Sequence, residues 1–158
     1  MVNLRESGFF ALACILFSVP ATAQERTAVE CYDALVSARI TEQVPSEIGD
    51  CGDDCIVMSW PWFIDLDVRR VLDGLAPKGT VTVLAVQHTY FRRDLGFKRW
   101  WLRRNSQGGF NLLSEEDDVR LSRCAQGIAP AKAYIEPDAG GTLEELRLEA
   151  EKRYGRRR

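Results

Sequence analysis

The chain contains a single histidine in 158 residues, and its formal net charge is only −2. Past the first two dozen positions no apolar run approaches the ~20 residues a membrane span needs. Each scarcity excludes something. With His88 alone, any Ser–His–Asp or Cys–His catalytic set would have to use that residue. Its neighbours Gln87 and Thr89 supply no activating motif, and no G-x-S-x-G turn surrounds Ser59. His88 therefore reads as a surface or strand-end residue, and we expect no catalytic residues and no cofactor. A near-neutral chain is a poor nucleic-acid binder, because that affinity rests on cations facing phosphates. No internal repeat is visible. The apolar (46%) and charged (28%) fractions are those of a folded domain, not of a disordered segment.

The amino terminus is more informative. Arg5 gives a weakly positive start, and Phe9–Val19 is an apolar run of signal-peptide length. Ala21-Thr22-Ala23 then places small residues before a cut at Gln24. We expect residues 1–23 to be a cleaved signal peptide and the protein to be periplasmic or secreted. A lipoprotein anchored through Cys14 is the weaker reading, since it leaves an apolar core of only about six residues. Cleavage leaves about 135 residues, enough for one domain with a modest core.

Cys31, Cys51, Cys55 and Cys124 remain after cleavage, and export places them where disulfides persist. Four cysteines allow three pairings. We favour a local Cys51–Cys55 clamp and a Cys31–Cys124 bridge joining the two ends of the domain. The rival is a metal site, but Cys51 and Cys55 lack the second ligand pair zinc requires. Asp50, Asp53 and Asp54 also lack the alternation of a calcium loop, so they read as a solvated turn and no metal is expected.

Periodicity then predicts strands. Ala34–Ile40 is apolar and partly β-branched. Across 56–72, Ile56, Met58, Trp60, Trp62, Ile64, Leu66 and Val68 alternate with mostly polar residues, the mark of a strand with one buried face. Pro61 within it signals an edge or a bulge. Thr80–Val86 is a third strand. Arg99–Arg104 and Phe110–Leu113 form a hairpin around Asn105–Gly109. Residues 119–124 fit either a last strand or a short helix, and 125–136 look irregular. After a linker at 137–141, Thr142 and Glu145 have capping-box spacing. Leu143, Leu146, Ala150 and Tyr154 then make a helical stripe, ended by Gly155 and a basic tail, Arg156–Arg158. The expected fold is a mainly β, five-stranded OB-like barrel over 24–136 with a C-terminal α-helix over 142–158.

The passages Val68-Arg69-Arg70-Val71-Leu72-Asp73-Gly74 and Gly79-Thr80-Val81-Thr82-Val83 resemble part of netrin-like domains. Trp100–Arg104, Gly108-Gly109-Phe110 and Cys124 are similar to that family's final hairpin and closing cysteine. The resemblance covers about residues 31–124 and implies the OB fold shared with the tissue inhibitors of metalloproteinases. Those inhibitors chelate zinc through an amino-terminal cysteine. Here Cys31 lies inside the expected terminus, so that mechanism does not carry over.

One cluster points to binding. On a strand, Arg99, Trp101 and Arg103 share a face. Trp101 is then expected to be partly exposed between two arginines, in cation–π geometry. Arg92 and Arg93 extend the patch. The bland reading is that arginine stems merely cover the ring. The C-terminal helix either docks on the barrel or, with its basic tail, makes peripheral contact with anionic lipid or an acidic partner. We therefore expect an exported, non-catalytic binding module for a protein or envelope ligand. The alternative is an inhibitor of an exported hydrolase, a protease or a cell-wall lytic enzyme.

Overall fold

The computed structural model describes residues 31–47, 58–91, 96–115 and 121–157. The chain runs β1 (Cys31–Tyr32), β2 (Ala34–Pro45), β3 (Trp60–Gly74), β4 (Gly79–Gln87), β5 (Lys98–Arg104), β6 (Phe110–Glu115), β7 (Ser122–Arg123) and α1 (Leu143–Tyr154). Five strands close a barrel in the order β2-β3-β4-β6-β5. Only the β4–β6 contact is parallel; the other barrel pairs are antiparallel. This is the expected OB-like barrel with its C-terminal helix.

The core follows from alternation. Val36 and Ala38 of β2, Trp62, Ile64, Leu66 and Val68 of β3, Trp100 and Leu102 of β5 all point inward and are buried. Alanines at 34, 38 and 85 make room for the two large indoles. Each indole N–H finds an acceptor: Trp62 donates to the Gln87 carbonyl (3.1 Å) and Trp100 to that of Ala38 (3.0 Å). Met58, expected on this stripe, precedes β3 and is exposed. Pro61 sits at a margin as expected, just beyond the end of β2, where Pro45 pairs with Trp62. Its carbonyl accepts bonds from the Ser46 backbone N–H and hydroxyl.

β2 is longer than its apolar segment suggests, reaching Pro45 through Thr41, Glu42 and Gln43. Gln43 is buried, its side-chain amide exchanging two bonds with the Phe91 backbone (3.1 and 2.9 Å). A polar residue can extend a strand inward when both ends of its amide are satisfied in this way. Residues 122–123 resolve as a two-residue strand parallel to β1.

The far side of β3 is also buried, contrary to a one-faced strand. Phe63 joins Val44, Leu84, Ala133, Ile135 and Ala150 in a second apolar cluster. The helix covers this face. Thr142 caps it by accepting from the Glu145 N–H (3.2 Å), while Glu145 accepts from the Thr142 N–H (2.9 Å). Leu143, Leu146 and Ala150 face the barrel, but Tyr154, expected on the same stripe, is exposed. The tail is tied down as well. Arg156 pairs with Glu151 (2.5 Å) and Glu42 (3.5 Å), and the Arg157 backbone bridges to Gln43. The Arg157 guanidinium lies 3.9 Å over the Tyr90 ring. The apolar stripe and two tail arginines thus engage the barrel, the docked alternative expected for this helix. Among the described residues no helix is long and apolar enough to cross a membrane.

Candidate functional site

Of the aromatic-basic patch expected from Arg92, Arg93, Arg99, Trp101 and Arg103, the buried Trp101 and Arg103 do not share an exposed surface with Arg99. Trp101 is 7% exposed, and the Tyr32 ring packs against it, tilted by 45° with 4.3 Å between centroids. Alternation correctly turns Trp101 out of the barrel lumen. The two-residue strand β1, which carries Tyr32 and is held by β7, then covers it. Arg103 is likewise buried. It donates to Asp33 Oδ2 (2.5 Å) and to the Ala129 carbonyl (2.5 Å), so its charge is spent inside the protein. Arg92 and Arg93 lie outside the described residues, as do Asp50, Asp53, Asp54 and the expected Cys51–Cys55 bridge.

Cys31 and Cys124 are bonded, with Cα atoms 4.9 Å apart across a separation of 93 residues. Around this bridge, Asp33 Oδ2 also accepts from the Arg104 backbone N–H (2.7 Å). The Tyr32 hydroxyl donates to Asp73 (2.7 Å), and Arg123 pairs with Asp73 at 3.2 Å. The bond from Tyr32, together with Arg123, holds the Asp73 carboxyl below its usual pKa, and the same bond raises that of Tyr32.

Arg99 is exposed on β5 and belongs to a different surface, the outer face of β3, β2 and β5. Ser37 of β2 stands opposite Arg70 on one side and Arg99 on the other. A register shift between Ser37 and Ala38 leaves Arg69 with no opposite number, since Ala38 pairs with Val68. Strict alternation would turn one of two successive residues into the core. The extra residue lets both Arg69 and Arg70 stay outside, a local re-aiming that bulges commonly provide. Phe97, just before β5, is 42% exposed and lies 5.5 Å from the guanidiniums of both Arg39 and Arg69. Asp67 also lies on this face, bound to Arg39 at 3.0 Å. Arg39 and Arg69 thus lie beside one aromatic ring, and Arg70 and Arg99 flank Ser37 on the same three strands. Of these residues only Arg99 is expected from the sequence; Arg39, Arg69, Arg70 and Phe97 are not. The one available signal was the Arg69-Arg70 pair, which an alternating strand can carry only by breaking register.

Further along the same outer face of β3, beside Asp67, lies a second charge cluster. Arg147 of α1 grips Asp65 of β3 with two bonds (2.7 and 2.6 Å) and also reaches Thr82 (2.8 Å) and Glu151 (2.8 Å). Burial works to raise the Asp65 pKa, but bonds from Arg147 and Thr82 outweigh it and hold it below normal. Glu151 is likewise depressed, with burial overcome by Arg147 and Arg156. These groups satisfy one another and fasten the helix.

The His88 ring is exposed and its Nδ1 meets the Met58 carbonyl at 2.5 Å. Among the described residues no group of three or more His, Cys, Asp or Glu side chains is placed to hold a metal ion. No family model, no curated protein and no solved structure matches this chain.

Proposed function

We propose that this protein is an exported, disulfide-closed OB-like binding module that holds an anionic envelope or protein ligand and performs no chemistry of its own. The observation that carries the reading is the outer face of β3–β2–β5, where Arg39 and Arg69 lie beside a half-exposed Phe97 and Arg70 and Arg99 flank Ser37. Guanidinium forks match phosphate, sulfate and carboxylate geometry, and Arg with an aromatic ring is a common centre of binding energy. The face is built on hydrogen-bonded strands, so little order need be gained on binding. Export is supported by the leader-like first 23 residues and by the Cys31–Cys124 bridge.

The test is surface plasmon resonance of the oxidised protein over immobilised lipopolysaccharide and over poly-glutamate, the saccharide and polypeptide probes. Arg69→Ala/Arg70→Ala should weaken binding about 10-fold or more at moderate salt, with a matching fall in salt dependence. Unaltered binding in that variant, or none of either probe by the native protein, would remove this face from consideration.

A further inference from the structure

The disulfide end of the barrel has an open trough unrelated to the cationic sheet face. Its floor includes Cys124 and Pro130, and it has a volume of about 740 Å³. A neighbouring hollow of about 480 Å³ shares Leu75, Arg104 and Pro130 with it, so the two run together. Leu75, in the β3–β4 turn, is 70% exposed, and Ile128, in the loop after Cys124, is 53% exposed. Both line the larger hollow.

The loop carrying Ile128 is fastened at several points. The Cys124 N–H donates to the Tyr32 carbonyl (2.8 Å), and the Ala131 N–H to the Arg104 carbonyl (2.9 Å). Between them Ile128 N–H closes a turn on Ala125 (3.2 Å), and the buried Arg103 holds the Ala129 carbonyl. Two exposed aliphatic side chains on a braced loop and a tight turn are costly in water and cheap to bind, because their order is already in place.

Charge selects the occupant. Arg103 is neutralised by Asp33 and Arg123 by Asp73. Arg104 lines both hollows, is exposed and has no ion pair among the described residues. A single uncommitted guanidinium among aliphatic side chains does not suit a polyanion, which needs an array. We infer that this trough docks an extended segment of a partner protein bearing one carboxylate beside a bulky apolar side chain. The carboxylate pairs with Arg104, and the apolar group lies between Leu75 and Ile128.

The experiment is selection of random dodecapeptides, displayed on phage, against the oxidised protein. The expected result is enrichment of peptides with Asp or Glu next to Leu, Ile, Phe or Tyr. Arg104→Glu should then weaken a selected peptide about 10-fold or more, and Ile128→Ser about 3-fold or more. Arg69→Ala/Arg70→Ala should leave its affinity unchanged. All these positions are exposed, so the variants retain the fold. No enrichment, enrichment without an acidic residue, or binding that survives Arg104→Glu would overturn the inference. Peptides lost with Arg69→Ala/Arg70→Ala instead would also overturn it, while leaving the sheet-face reading intact.

Discussion

Gly74 closes β3 with φ of 75°, and a Cβ there would lie 1.9 Å from the Asp33 carbonyl oxygen. The same Asp33 anchors Arg103, so one residue ties the start of β2 to the end of β3 and to β5. Gly74→Ala meets both a disfavoured φ and a backbone collision. It should cost about 3 kcal/mol or more, read as a lower urea midpoint at unchanged m-value. Arg103→Met removes the buried cation, leaving the Ala129 carbonyl without this donor and Asp33 with only the Arg104 N–H. Its expected cost is about 2–4 kcal/mol by the same measurement, with the 125–130 loop amides losing hydrogen-exchange protection. Neither role was legible locally. Arg103 sits in Arg99–Arg104, a segment that reads as a basic surface strand, and its partners lie 70 and 26 residues away.

At the scale of elements, α1 illustrates how a helix can be written locally and docked by something else. Its cap at Thr142 and its stop at Gly155 were plain in the sequence. Its apolar stripe is thin, and much of the grip comes from Arg147 on Asp65 and Glu151. Both carboxyls have pKa values below normal in the folded protein. A depressed carboxyl contributes stability that is complete above its unfolded pKa and is lost as pH falls through the folded one. Helix docking should therefore be at full strength at neutral pH and weaken progressively below about pH 4. Hydrogen exchange of the α1 amides across that range is the check. They should open in acid before the barrel amides do, and an Arg147→Met variant should lose most of this pH dependence. Strand β3 gives the converse lesson. Its period of two was readable from Trp60 to Val68. The phase change after Val68, which brings Arg69 and Arg70 out together, exists only through pairing with β2.

For the whole molecule, the Cys31–Cys124 bridge binds β1 to the chain beyond β7 across 93 residues. On the chain-entropy account, closing a loop of this length contributes up to about 4–5 kcal/mol. Cys31→Ser/Cys124→Ser should lower the urea midpoint accordingly, and reductant should do the same to the native protein. A native protein indifferent to reductant would show that the bridge is not closed. Because the same bridge anchors the braced loop at Cys124, the variant should also lose the selected peptides while retaining binding on the sheet face.

Composition and order of residues alone determined the strand-rich class, the five barrel strands, and the cap and stop of the helix. These depend on neighbours a few positions apart: alternation, turn formers, a hydroxyl three residues before a carboxylate. Which arginines face water was decided only by the closed barrel. Trp101 and Arg103 were read as surface because a strand's outer face is normally wet. Here a two-residue strand and a remote loop cover it. Arg39, Arg69, Arg70 and Arg99 became one surface because three strands were brought side by side and one of them slipped a residue. Pairings of that kind join residues tens of positions apart, and their energies exist only once the chain has closed on itself.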